Sequence, residues 1–486
     1  MTIARQLSIG GKDVPARTGR TTDVISPHTG VVFATVAAAD ASDVTAAVDA
    51  AAATFDDWSS LGPSARRAIF TKAAELLDSS TERAAQLMAG ETGATFGWAV
   101  FNVTLAADIF REAAAAVTAP RGEVLTAQQE GVLGLAVREP VGVVAAFAPW
   151  NAPTILGARA IAAPLAAGNT LVLKASESAP LSSGLFLADL LHEAGLPPGV
   201  LGVITNDPVD APQIAETLIA DERVRAVNFT GSTAVGRIIG TLAAQHLKPA
   251  VLELGGKNSV IVLDDADIDY AVAAAVFAVC ANSGQICMSA ERLLVHESIA
   301  AEFTTKFATA LAALPTGIPE DRATVVGPLV STAAAARIAA LVTDAVTKGA
   351  KVLAGGGDPN GAWYPPTLLT DVPPDAELYH AESFGPVCAL TTFATDEEAI
   401  TKANDTGNGL SAGLITENTT HGLRVARRLR TGIVHINDQS VADEPQAPFG
   451  GFRNSGYGRF GGRWGIEAFC NTRWVTIATE QAHFPG

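Results

Sequence analysis

Along residues 63–118 apolar side chains recur close to every 3.6 positions, which predicts two or three amphipathic helices on a common core. The Ala-rich run Ala38–Ala53 ahead of them predicts one more helix, packed on a domain surface. From residue 141 the rhythm changes. The unbroken apolar run VGVVAAFAP leads into a helical stretch ending at Gly168. TLVLKAS follows, then a helix through 182–194, VLGVIT, a short helix near 210–220, VRAVNFT, and a helix from about 234. Strands that are apolar on both faces and alternate with helices predict a parallel sheet covered on each side, a doubly wound arrangement of the dinucleotide type. A second α/β set begins near 258, with NSVIVLDD, ERLLVHE, AKVLAGG, SAGLITE and TGIVHIN as its strands. The pattern contains no repeat of fixed period. Residues 438–462, rich in Gly, Pro and polar side chains, predict a long loop of the kind compact enzymes use for function, or else a plain connection to the C-terminal segment.

Length and charge narrow the picture. A chain of 486 residues calls for two or three domains. The net charge is −17 and no block of Lys and Arg stands out, which argues against nucleic-acid or anionic-membrane partners. The first residues lack the apolar core of a secretory signal, and stretches such as Val141–Ala148 and Ala271–Ala281 are too short to span a bilayer. A soluble, cytoplasmic protein is expected. Cys280, Cys287, Cys388 and Cys470 form no CxxC pair and no disulfide framework, and the eight scattered histidines point away from a metal site.

Four short segments carry candidate chemistry. FTGSTAVG, residues 229–236, follows a predicted strand and opens a helix, so Gly231 and Ser232 could turn the chain around a phosphate at a helix N-terminus. It is not GxGxxG, it follows the fourth strand of the unit, and alone it is a weak signal. In LVLKASE, residues 171–177, Glu177 stands where dinucleotide folds set an acid against the adenosine ribose, with Lys174 beside it. A solvated Lys/Glu pair at a strand end would look the same. In LELGG, residues 252–256, Glu253 has an apolar setting that raises a carboxyl pKa and suits a general base, although a helix cap or ion pair would also fit. In NSGQICMSAER, residues 282–292, Cys287 follows a Gly-containing turn and is a candidate nucleophile, against the commoner buried, inert cysteine.

Taken together and in order, these segments resemble the aldehyde dehydrogenase superfamily. The likeness runs from about residue 20 to the end and also takes in EPVGVVAAFAPWNAP, ESFGPV and PFGGFRNSGYGRFGG. The resemblance implies Cys287 as nucleophile, Glu253 as the base that activates hydrolytic water, and Asn151 as the oxyanion-hole donor. It implies cofactor contacts at Trp150, Lys174, Glu177, Gly231, Ser232, Gly236, Glu382 and Phe384. It also implies a substrate tunnel lined by Trp98, Ile286, Met288 and Phe449, and no metal. NAD is the expected cofactor, because Glu177 would repel a 2′-phosphate, while Lys174 leaves some NADP use open.

Within the superfamily the chain most resembles the salicylaldehyde, vanillin and benzaldehyde dehydrogenases, through ETGAT with Trp98, WNAPTILGARA, QICMS, HINDQSVADEPQAPFGG and an HFPG-like end. Ala152 leaves room for a ring near the thiol. Arg159, two helical turns beyond Asn151, could face the same tunnel and meet a phenolic oxygen or a carboxylate, or else point outward. The expected reaction is oxidation of an aromatic aldehyde to the acid. The alternatives are a semialdehyde dehydrogenase for an aliphatic carboxylate-bearing substrate, a cofactor-free thiol esterase, and a non-catalytic descendant. The resemblance divides the chain into a nucleotide domain at 1–117 and 141–254 and a catalytic domain at 255–453. Segments 118–140 and 454–486 would form a small β element that joins subunits into a homodimer or homotetramer.

Overall fold

The computed structural model describes residues 2–119 and 121–480; the HFPG end lies outside the described residues. The first large sheet has eight strands. Its centre runs Leu201–Ile204, Thr170–Lys174, Val143–Phe147, Val224–Thr230, Ala250–Glu253, all parallel. In chain order this is 3-2-1-4-5, so the direction of winding reverses between Val143–Phe147 and Val224–Thr230. A doubly wound sheet opens a crevice at the carboxyl ends of such a pair. Helices Pro153–Ala167 and Thr233–Gln245 begin just past those ends.

Three short strands extend this sheet antiparallel at its edges. Leu7–Ile9 and Lys12–Val14 add to one side, and Gly456–Tyr457 pairs with Ala250–Glu253 on the other. None was visible in the sequence, because strands of two or three residues have no room for a period. The helix predicted over 38–53 begins at Ala41, where Asp40 caps it by accepting the Ser42 and Asp43 N–H groups.

The second sheet has seven strands in the order Lys351–Ala354, Thr367–Thr370, Val387–Phe393, Ala290–His296, Asn258–Val262, Ser411–Ile415, Ile433–Ile436. All pairs are parallel except that of Lys351–Ala354 with Thr367–Thr370. Thr367–Thr370 and Val387–Phe393 escaped the sequence reading, since neither alternates cleanly and both sit among Pro-rich connections.

A separate three-stranded antiparallel sheet joins Gly122–Leu125, Val132–Pro140 and Cys470–Ala478. The 454–486 segment is therefore divided: Gly456–Tyr457 belongs to the first sheet, and only the later strand joins the hairpin at 122–140.

The chain passes from the first sheet to the second through Leu254–Lys257. This crossing is tied down by Ser455, whose carbonyl accepts from the Leu254 N–H and whose hydroxyl donates to Gly255 O at 2.7 Å. Carboxyl ends of the first sheet thus face amino ends of the second.

Candidate active site

Cys287 lies on the loop that enters Ala290–His296 at the amino end of the second sheet. The turn before it is strained. Asn282, Ser283 and Gly284 have φ of 49°, 55° and 72°, and a left-handed non-glycine residue costs about 1–3 kcal/mol. Gly284 is needed for space as well, since a Cβ there would meet the Gly385 carbonyl oxygen at 2.1 Å. Hydrogen bonds from distant segments hold the turn. Asn258 Nδ2 donates to Cys287 O at 2.7 Å and to Ser289 O at 3.1 Å. The Ser440 hydroxyl donates to Met288 O at 2.7 Å.

Asn151 stands opposite, just ahead of helix Pro153–Ala167. Its carbonyl accepts from Trp98 Nε1 at 2.9 Å and from Asn282 Nδ2 at 2.8 Å, and its own Nδ2 donates to Gln285 O at 3.0 Å. Trp98, expected only as a tunnel wall, therefore also pins the Asn151 backbone.

Glu253 ends the strand Ala250–Glu253 and is 1% exposed. Neither carboxylate oxygen has a hydrogen-bond partner among the described residues. Burial lifts its pKa to about 7, against the pull of the Arg159 charge and the Cys287 thiol. Burial, followed by the negative charges of Glu253 and Glu382, pushes the Cys287 thiol well above its usual value. A proton leaving the thiol thus has one carboxylate poised to take it near neutrality.

Cys287 and Asn151 stand in the wall between two cavities. One is a cleft of about 370 Å³ at the switch point, bordered by Trp150, Gly231, Ser232, Glu253, Glu382 and Phe384. The other is a small apolar cavity, bordered by Trp98, Ile155, Ile286, Met288 and Phe449. Because Cys287 borders both cavities, one sulfur can address a ligand on either side.

In the cleft, Gly231 approaches Phe229 so closely that a Cβ would strike the ring at 2.6 Å, and its N–H is already given to Glu253 O at 3.0 Å. Ser232 caps the next helix by accepting from Val235 N, which leaves its hydroxyl proton free to donate. Glu382 accepts from the Gly256 N–H at 2.9 Å, and burial together with neighbouring Glu291 raises its pKa to about 8. Phe384, at φ 52°, meets Trp150 edge-on at 5.5 Å. A buried ion pair, Lys257–Glu291, stabilises this wall, since Glu291 accepts from the Ser383 N–H at 2.7 Å. Arg337 borders the cleft too, donating to the Glu382 and Ser383 carbonyls.

Three expectations are adjusted. Gly236 does not border the cleft: it lies within helix Thr233–Gln245, and its missing Cβ admits Leu254, whose side chain it would otherwise meet at 2.2 Å. Lys174 and Glu177 sit one strand away from the cleft and bind each other at 2.5 Å, with Asn206 Nδ2 joining Glu177 at 3.2 Å. Burial works to raise the Glu177 pKa, but Lys174 outweighs it and the carboxyl lies below its usual value. Arg159 does not point outward; it is buried, paired with Asp443, and stacked 4.2 Å from the Phe449 ring. Asn258, Asn282, Gln285, Lys257, Arg337 and Asp443 were missed as site residues. Asn282, Gln285 and Asp443 fall inside the segments already singled out, and only their contacts mark them. The described residues hold no group of three or more His, Cys, Asp or Glu placed to bind a metal, and no described helix is long and apolar enough to cross a membrane.

Residues 14–475 match the family model described as Aldehyde dehydrogenase family. A vanillin dehydrogenase of Pseudomonas sp. (strain HR199 / DSM 7063) is 50% identical over 480 residues, 99% of each chain. A crystal structure of a salicylaldehyde dehydrogenase from Pseudomonas putida G7, complexed with salicylaldehyde, superposes with a TM-score of 0.97 at 42% identity over 100% of both chains. A crystal structure of PnpE in complex with nicotinamide adenine dinucleotide gives a TM-score of 0.95 at 36% identity over 99% of both.

Proposed function

The chain belongs to the aldehyde dehydrogenase family, and from that premise we propose that it oxidises an aromatic aldehyde, of the benzaldehyde, salicylaldehyde or vanillin type, to the carboxylic acid with NAD. The carrying observation is the position of Cys287 between an apolar cavity walled by Trp98 and Phe449 and the switch-point cleft. The vanillin and salicylaldehyde dehydrogenases, which match over nearly their whole length at 50% and 42% identity, act on aldehydes of this kind by name.

The cleft suits a dinucleotide. The close turn at Gly231 keeps side-chain bulk out, and Ser232 begins a helix of thirteen residues whose first N–H groups favour a phosphate. Lys174 and Glu177 would hold the adenosine ribose, and Trp150, Glu382 and Phe384 the nicotinamide end. Bound there, NAD supplies the hydride acceptor. The Lys174 charge is taken up by Glu177, so a 2′-phosphate would meet a carboxylate with no free cation, which favours NAD over NADP.

On the protein side, Glu253 takes the Cys287 proton and the sulfur adds to the aldehyde carbon. The Asn151 side-chain N–H and a backbone N–H carry the developing oxyanion. After the carbonyl-carbon hydrogen leaves as hydride, the acyl group remains on sulfur as a thioester. Glu253 passes the thiol's proton to solvent and then draws a proton from water, which attacks the thioester; the acid leaves and that proton returns to the departing sulfur. Asn151→Ala should lower kcat by about 10²- to 10³-fold with a smaller change in KM. Steady-state kinetics on benzaldehyde check this, and an unchanged kcat would remove Asn151 from the oxyanion site.

Arg159 bears on the aliphatic alternative. A substrate carboxylate would need a free cation, whereas Arg159 is already neutralised by Asp443. Reduced-nicotinamide absorbance with benzaldehyde, salicylaldehyde, vanillin, succinic semialdehyde and acetaldehyde, in NAD and then NADP, tests the whole reading. Fast NAD-linked turnover of the aromatic members is expected, and a preference for succinic semialdehyde would overturn the substrate class. The domain division of the sequence reading is kept, with 454–457 moved to the nucleotide domain. Self-association is assigned to the three-stranded sheet, whose open edges carry Trp474 at 75% and Val124 at 73% exposure.

A further inference from the structure

The loop after Ile433–Ile436 carries Asp443 into the wall of the apolar cavity that Cys287 borders. Its side chain is 5% exposed and ion-paired through Oδ2 with Arg159. The second oxygen, Oδ1, is buried and has no hydrogen-bond partner among the described residues. Burial raises the Asp443 pKa, against the pull of the Arg159 charge, and the Glu444 N–H beside it makes no hydrogen bond of normal geometry with Oδ1. A buried carboxylate oxygen left without a donor is costly, and the cavity that Asp443 borders is lined mainly by apolar side chains, among them Trp98, Ile155, Val441 and Phe449. The other polar group at the thiol end, Asn151, gives its Nδ2 to Gln285 O.

We propose that Asp443 Oδ1 accepts a hydrogen bond from a ring hydroxyl of the substrate, para to the aldehyde, with Arg159 fixing the carboxylate in place. The para position follows from geometry. Ala152, Ile155, Leu156 and Arg159 line one face of helix Pro153–Ala167. From Ala152 to Arg159 the helix rises about 10 Å, and a long helical side chain leans back toward the N-terminus. The Arg159–Asp443 pair therefore stands a ring's length from Asn151 and Cys287, beyond reach of an ortho substituent. An anionic partner, such as a phenolate or a second carboxylate, would be repelled by Asp443, so the donor selected is a neutral phenol.

This inference rests on the reading of the chain as an aromatic aldehyde dehydrogenase, and the test separates the two. The NAD-loaded enzyme is assayed on para-hydroxybenzaldehyde, ortho-hydroxybenzaldehyde and the methyl ether of each. Methylation at the para oxygen should lower kcat/KM by about ten- to a hundredfold, the range for a hydrogen bond to a charged group; at the ortho oxygen the change should be under about threefold. A double variant, Arg159→Met with Asp443→Leu, replaces the ion pair by apolar side chains of similar bulk, an exchange that buried pairs often tolerate. In it the para hydroxyl-to-methoxy ratio should fall to about one. A ratio retained in the variant would mean steric exclusion of the methyl group and overturn the inference, as would a wild-type enzyme indifferent to para methylation, a result that needs no variant. If the wild-type enzyme reduces NAD with no aromatic aldehyde at all, it is the functional reading that fails.

Discussion

Replacing Cys287 by alanine should abolish aldehyde-dependent reduction of NAD, with kcat down by about 10⁴- to 10⁶-fold, the scale seen when a covalent nucleophile is removed. The expectation follows from how little else the site offers. The apolar cavity contains no second thiol: Cys280 and Cys388 are buried in the second domain, and Cys470 stands at the start of a strand of the small sheet. Oxidation also depends on an sp³ carbon forming before hydride leaves, and only sulfur at position 287 borders both cavities. Truncation by one atom in a loop held by Asn258 and Ser440 leaves those backbone contacts in place. Circular dichroism should accordingly be unchanged. Intact-mass measurement should find an acyl adduct on the wild type, trapped by acid quench, and none on the variant. Turnover within tenfold of wild type would show that the reaction does not pass through this sulfur.

Glu253→Gln should separate the two halves of the reaction. Glu253 is the group placed to activate water, because both its carboxylate oxygens lack a partner among the described residues, whereas Glu382 already accepts from the Gly256 N–H. Steady-state turnover should fall by about 10²- to 10⁴-fold, the usual contribution of a positioned base. A first, stoichiometric release of reduced nicotinamide should survive at high pH, where the thiol can ionise unaided, and the acyl adduct should accumulate on Cys287. The pH profile supplies the sign. Burial raises the Glu253 pKa from 4.5 to about 7, so below that pH the carboxyl holds its proton and cannot accept another. Wild-type kcat should therefore climb as pH rises through about 7 and level off above it, and glutamine should erase that limb. If the limb persists in the variant, Glu253 is not the group that titrates.

The two results are linked by burial. A thiol pushed upward by its surroundings is a poor nucleophile at neutral pH unless a base stands beside it. A carboxylate pushed upward by the same surroundings becomes that base. The strained turn at Asn282 and Ser283 belongs to the same arrangement, since it leads into the loop that sets the part-buried Cys287 beside Glu253.

Much of this was open to inspection along the chain. The alternation of apolar runs and helices from 141 onward specifies a parallel, doubly wound sheet, because a strand covered on both faces must be apolar throughout. The ordered motifs around Asn151, Glu253 and Cys287 are contiguous in sequence, so they could be read one at a time. What the linear order does not contain is convergence. Asn258 meets Cys287 only because Asn258–Val262 pairs with Ala290–His296 in the second sheet, and Trp98 grips Asn151 only because the helices they belong to or precede pack together. Short edge strands such as Leu7–Ile9 gain their pairing from a neighbour nearly two hundred residues away and have no period of their own. Gly236 shows a related limit: a glycine needed for helix–sheet contact, as here against Leu254, and one needed for a phosphate turn are the same letter. Arg159 is the sharpest case. Its spacing from Asn151 put it on the right face of the helix, yet its charge was disposed of by Asp443, 284 residues on, and only tertiary packing could bring a counter-ion from that distance into the same cavity.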